Sequence, residues 1–406
     1  MKRMLIISPE VYPEIKVGGL GKMVAGVAKA LREKGFDLRV ISPKENIYRP
    51  LWQKETELVY RQLGWRARDY CQKNNWQPDW LWLHDWGGVW SGSEFLAKSN
   101  WQPKVIWTIH SPVSDQDSYQ YSYSYDYWWE DDEPIDWSDS FFDFSALVNQ
   151  GISLANRVTT VSMGFARRLR RHYLFQSARE IIGIANAIDP EEWHPKADPL
   201  IGFRLKNSWL EFKQRNKQIL QQQFGLPQEE RPVFCFVSRI VPQKGIKLLA
   251  QAMKQFLASN RAQLVVVGSG PKSLLHLFRD LKTTFPRQVG LRLAADFDLP
   301  HQVFAGSDFL VLPSLTEPFG IVVAEAKKYG VIPIVHLVDG LKDQVKDGIN
   351  GFGFYRFSEE RMLAKLYQAQ ESWSSSWWAA RLSSLSASVN SWRQAAADWL
   401  TILGEN

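Results

Sequence analysis

The sequence predicts an α/β protein made of two doubly wound parallel sheets, one in each half, facing each other across a ligand cleft. Three observations predict it. Short apolar runs alternate with helix-length segments through the first half of the chain. A second such series begins after a polar, charged stretch at about 190–231. The carboxyl ends of the runs carry glycine, histidine and charged residues, and open α/β sheets bind their ligands at those ends.

In chain order, "RMLIIS" is the first strand, and a helix pattern runs from Leu20 to Lys34 and stops at Gly35. "DLRVIS" follows, then "WLWLH" (80–84) and "KVIWTIH" (104–110), each ending in a histidine. "RVTTVS" (157–162) and "IIGIA" (181–185) complete the first series. The second holds "VFCFVS" (233–238), "LVVVG" (264–268), "VGLRL" (289–293), "FLVLP" (309–313) and "IPIVH" (332–336). This divides the chain into a domain at 1–225, a second at 226–375, and C-terminal helices at 376–406 that pack back on the first.

The 406 residues suffice for two full cores. No apolar run reaches membrane-span length, and "MKRMLIIS" reads as too short for a signal peptide. Cys71 and Cys235 fall in different predicted domains and form neither a disulfide framework nor a metal set. A cytoplasmic enzyme is expected. The net charge of +6 is mild for this size, and its densest run, "RRLRRH" (167–172), reads as a solvated helix face rather than a nucleic-acid contact. The 19 tryptophans are expected to be mostly core. "SYQYSYSYDY" (118–127) places tyrosines on one face if extended, and reads as a solvent-facing loop rather than a ligand-stacking platform. "DQD" (115–117) and "DFD" (296–298) are short enough to arise by chance.

Several strand ends carry chemistry. "KVGGLGK" (16–22) joins the first strand to a helix; Lys16, Gly18, Gly19 and Gly21 suit a backbone that approaches a diphosphate at a helix N-terminus. His84 and Asp85 end one strand and His110 the next. Arg239 and Lys244 in "SRIVPQKG" (238–245) place two cations on one loop, suited to a leaving group whose negative charge grows. In "PSLTEPFGIVVAE" (313–325), Glu317 and Glu325 flank Gly320 at a helix start, where backbone N–H groups point outward.

The ordered set "KVGGLG", "HDW", "TIH", "GIANAIDPEEWHP", "VSRIVPQKG" and "PSLTEPFG" resembles the bacterial glycogen synthase and plant starch synthase family, retaining glycosyltransferases of the GT-B fold with two Rossmann-like domains. The resemblance implies transfer of glucose from a nucleotide donor, ADP-glucose above all, to an α-1,4-glucan or maltooligosaccharide. It implies no metal and no other cofactor; the charge and the apolar runs read above already lead to no nucleic-acid and no membrane partner being expected. It places Lys16, Gly18 and Gly19 on the donor diphosphate and Asp85 and His110 around the transferred glucose. Asn186 matches the asparagine of the family's "NGID" stretch. Arg239 and Lys244 match the basic pair on the leaving phosphates, and Glu317 the glutamate near the transferred sugar. Phe319, Gly320, Ile321 and Val322 match its backbone donors.

The chain departs from the family in places. Lys22 stands where aspartate is usual, "EPFGIVV" where "EPCGLTQ" is, and "VDGL" (338–341) where "TGGL" is. The "EPFG" form with Glu325 looks more like the larger group of family 4 retaining transferases. "AADFD" replaces an aromatic ahead of His301, with Phe297 as a substitute, and the stretch between "VISPK" and "HDW" is short. Two alternatives follow: a GT-B transferase with another donor or a small acceptor, and a catalytically silent glucan-binding or regulatory protein.

Overall fold

The computed structural model describes residues 1–13, 19–43, 54–97, 99–111, 144–259 and 262–404. They form two compact units. One takes the described residues up to Ile188 and from Asn390 onward; the other contains Asp189–Val389.

The first unit is a parallel sheet of β1 (Arg3–Ile7), β2 (Asp37–Ile41), β3 (Trp80–His84), β4 (Lys104–Ile109), β5 (Arg157–Thr160) and β6 (Ile181–Gly183), in the order β2-β1-β3-β4-β5-β6. Ile7 pairs with both Ile41 and Leu83, so the strands end together and expose one common carboxyl edge. The helix Gly19–Glu33 buries Leu20, Met23, Val24, Val27 and Leu31, a stripe at three- and four-residue spacing. It gives way at Gly35, whose φ of 89° favours glycine. The helix Trp392–Leu403 covers this stripe. It starts with a capping box of Ser391 and Gln394 and buries Trp392 and Trp399. A Cβ on Gly26 would lie 2.2 Å from the Trp392 ring, so glycine is required there.

The second unit repeats the plan with β7 (Val233–Val237), β8 (Gln263–Val267), β9 (Val289–Arg292), β10 (Phe309–Leu312), β11 (Ile332–His336) and β12 (Phe352–Phe354), in the order β12-β11-β10-β7-β8-β9. β12 is an addition to the strands read from sequence; its Phe-Gly-Phe, preceded by Gly351, gives no continuous apolar run. In both sheets the strand order reverses beside the first strand of the unit, between β1 and β3 and between β7 and β10. Such reversals are where doubly wound sheets receive ligands.

The units part between Ile188 and Asp189, earlier than the division at 225/226 expected from composition. The reason is a clamp of side chains. The Asp198 carboxylate accepts hydrogen bonds from Tyr329 Oη and His301 Nδ1, and Trp193 stacks on His301 with centroids 3.9 Å apart. Buried Lys213, on the helix Trp209–Gln223, donates to Phe304 O at 2.9 Å. The polar stretch is therefore bound into the second unit. The C-terminal helices also divide: Trp392–Leu403 belongs to the first unit, Ser376–Ala387 to the second.

Candidate active site

In the second unit, the loops after β7 and β10 meet at the strand-order reversal. The β7 loop turns through the short 3-10 segment Pro242–Lys244 and leaves at Gly245 with φ 70°. A Cβ on Gly245 would lie 2.1 Å from Pro313 O, so the two loops touch backbone to backbone. Leu315 N–H donates to Gln243 O at 2.8 Å, and the Gln243 amide donates to Thr316 O. This register brings Lys244 Nζ to 2.7 Å from Glu317 Oε2. Both residues are buried. Ser314 Oγ donates to the same carboxylate oxygen at 2.9 Å. A buried pair of this kind repays its desolvation only with good geometry, and removal of either partner strands the other charge.

Beyond Glu317 the chain turns at Gly320, φ 88°, into the helix Ile321–Lys328. The first-turn N–H groups of that helix, at Ile321 and Val322, have no acceptor within the helix. Phe319 is buried, as is Glu325 one turn on. Arg239 lies partly buried on the β7 loop. Asp296 of "DFD" accepts from the N–H groups of Asp298 and Leu299, so it shapes the start of the helix Leu299–Gly306.

In the first unit, Asp85 follows β3 with φ 57°, a left-handed conformation uncommon for a non-glycine residue. Its carboxylate accepts from His110 N at 3.2 Å, Ser111 N at 3.1 Å and Ser111 Oγ at 2.6 Å. Burial pushes its pKa up, against the pull of these hydrogen bonds. Trp107 Nε1 donates to Asp85 O at 3.0 Å and fixes the turn. His84 Nδ1 and His110 Nε2 are 2.9 Å apart. Burial lowers the pKa of His110 to about 3 and, with His110 alongside, holds His84 well below its ordinary value. The pair is thus neutral and shares one hydrogen bond. Asn186 is buried, and its N–H donates to Val161 O.

Of the residues singled out by sequence, the structure joins Lys244 with Glu317 and Asp85 with His110. Gly19 opens its helix, and Lys16 and Gly18 lie outside the described residues, as do the tyrosine stretch and "DQD". Sequence reasoning missed Ser314, Ser111, Thr316 and Gln243. Each is a common polar residue close to a strand end, and only the packing of two loops gives it a partner.

Residues 17–192 match the model of Glycosyltransferase Family 4, and residues 217–376 that of Glycosyl transferases group 1. The chain is 28% identical over 91% of its length to a glycogen synthase of Marinomonas sp. (strain MWYL1), 92% of which is covered. The chain is a glycosyltransferase homologous to bacterial glycogen synthases. A glycogen synthase of Clostridium perfringens is 27% identical to this glycosyltransferase over 99% of the chain, with 98% of the relative covered. Its fold is similar to that of the catalytic domain of starch synthase IV from Arabidopsis thaliana bound to ADP and acarbose, with a TM-score of 0.81, 24% identity and coverage of 99% and 98%. It is also similar to sucrose-phosphate synthase from Thermosynechococcus elongatus, with a TM-score of 0.70, 16% identity and coverage of 100% and 98%. These likenesses establish the GT-B fold. Among the described residues, no helix is long and apolar enough to cross a membrane.

Proposed function

We propose that this glycosyltransferase moves glucose from ADP-glucose to the non-reducing end of an α-1,4-glucan, with retention of anomeric configuration, in the cytoplasm. The observation that carries the reading is the buried Lys244–Glu317 pair at the strand-order reversal of the second sheet. Transfer needs a fixed cation where the diphosphate leaves and a fixed carboxylate to hold sugar hydroxyls. Lys244 and Arg239 take the phosphates, and Glu317 takes the sugar. The helix start at Phe319, Gly320, Ile321 and Val322 supplies N–H donors to the nucleotide sugar, with Glu325 behind it. Lys16, Gly18 and Gly19 take the diphosphate as the resemblance implies, and Asn186 completes the donor contacts. His110 and Asp85 are polar contacts of the transferred glucose. A neutral His110 donates or accepts a single hydrogen bond there without adding charge. The second unit is the nucleotide-sugar side, the first the acceptor side. The glycogen synthase relatives support the glucan acceptor, and the starch synthase structure with ADP and acarbose supports an adenine nucleotide.

A second reading keeps the reaction and changes its partners. Glu325, eight residues after Glu317 and buried, favours a donor other than ADP-glucose or a small acceptor. Purified protein offered ADP-glucose, UDP-glucose and GDP-mannose separates the two. Glucose transfer from ADP-glucose, faster to a maltooligosaccharide than to a large branched glucan, is expected. Transfer from another donor alone sinks the first reading in favour of the second.

A further inference from the structure

The loop that carries Glu317 is held from outside by a second loop, residues 338–344, which the roles set out above leave unused. Asp339 Oδ2 accepts from Thr316 Oγ1 at 2.7 Å and from the Glu317 backbone N–H at 3.0 Å. Gly340 N–H donates to Glu317 O at 3.1 Å. Both peptide groups of Glu317 are thereby fixed by adjacent residues of one turn. A Cβ on Gly340 would lie 2.5 Å from Pro318 O and 2.6 Å from Phe319 Cα, so the two backbones are in direct contact. Farther along, Gln344 Nε2 donates to Phe319 O at 2.6 Å and to Gly320 O at 3.2 Å. Asp339 itself is buried, in a left-handed conformation with φ 39°. An aspartate held buried in a conformation that glycine adopts more readily indicates that its carboxylate has a task.

We propose that Asp339 is the positioning residue for Glu317: its carboxylate fixes the backbone of the Thr316–Glu317 step so that the Glu317 side chain faces the donor sugar. The proposal rests on the reading of Glu317 given above. A displacement of about 1 Å in a reacting or orienting group can cost on the order of 10² in rate. Side-chain aim is the property at stake, not nucleotide affinity, because Asp339 bonds the Thr316–Glu317 step, whereas Phe319 and Gly320 are held by Gln344 and Lys244 stands on the other loop.

The test compares Asp339→Gly, Asp339→Asn and Glu317→Gln as full-length proteins. Glycine and asparagine both tolerate positive φ, so both variants keep the turn. Asparagine restores an oxygen with two lone pairs for the same two donors. Transfer from ADP-glucose to maltooligosaccharide is measured for kcat and KM, ADP affinity by calorimetry, and Tm in parallel. The expected result is a kcat for Asp339→Gly lowered by about 10- to 100-fold. Its ADP affinity stays within about threefold of the parent, and the asparagine variant recovers most of the rate. If Asp339→Gly keeps parental kcat, or loses only Tm, while Glu317→Gln is strongly impaired, the positioning role is wrong. If Glu317→Gln itself turns over normally, the reading of Glu317 fails first and the inference falls with it.

Discussion

Both units bury polar side chains at the carboxyl ends of their sheets, but they do so by different physics. At β3 and β4 the first unit holds two histidines kept neutral by burial and one carboxylate that accepts three hydrogen bonds from the next strand end. At β7 and β10 the second unit holds a lysine and a glutamate in direct ion contact. The first arrangement is suited to orienting hydroxyl groups. The second can neutralise a phosphate charge and still leave a carboxylate for the sugar. On the function proposed above, the contrast puts the charge-handling part of glycosyl transfer in the second unit.

Substitution at the ion pair should have the largest effect. Lys244→Ala strands the Glu317 carboxylate and removes a charge from the leaving group. We expect kcat to fall on the order of 10²–10³-fold, the scale of losing one preorganised donor. Arg239→Ala should fall similarly. Near-parental rates in steady-state assays of both variants would erase the distinction between the units. In the first unit, Asp85→Ala should cost stability above all. It orphans the donors at His110 and Ser111 and leaves alanine at φ 57°, for about 3 kcal/mol, read from urea denaturation. Asp85→Asn should be milder, because asparagine tolerates that backbone.

Much of this was legible in the sequence. Eleven of the strands show as apolar runs, and β12 escapes because its Phe-Gly-Phe is broken by a central glycine and flanked by Gly351 and Tyr355-Arg356. Lys244 and Glu317 were visible because charged residues after a strand are conspicuous. Their pairing was not, since it depends on Gly245 lying against Pro313 across 68 residues of chain. Asp339 showed only as a departure in "VDGL"; its two hydrogen bonds to residues 316 and 317 need the fold. The early boundary at Ile188 was hidden because a polar stretch reads as a linker. Asp198, Trp193 and Lys213 spend their polar and aromatic groups inside the second unit.

Acidification offers a smaller and selective contrast. His110 has a pKa near 3 in the fold and His84 lies well below its ordinary value, so between about pH 3 and the ordinary 6.5 the unfolded chain binds protons that the folded one refuses. Stability then falls as pH falls through that window, by up to about 1.4 kcal/mol per pH unit for each histidine. A His84→Gln and His110→Gln double variant should show a flatter acid limb in denaturant titrations; an unchanged limb would mean the pair does not control it. Gly26→Ala, which drives a methyl into Trp392, should cost about 1–3 kcal/mol through overpacking of the first unit, with little change in kcat of the folded protein. The smallest effect is expected from a chelator. If Lys244 and Arg239 supply the cationic charge, as proposed, the transfer rate should stay the same in EDTA and with added manganese. Loss with EDTA and recovery with manganese would move charge neutralisation away from the second unit's side chains.

The most direct test of the account is the product itself, formed from ADP-glucose and maltotriose by the purified protein and read by proton NMR at the new anomeric centre. A single added glucose in α-1,4 linkage is expected, formed by the parent and lost in Glu317→Gln. A β-linked product, or parental yield from Glu317→Gln, would contradict it.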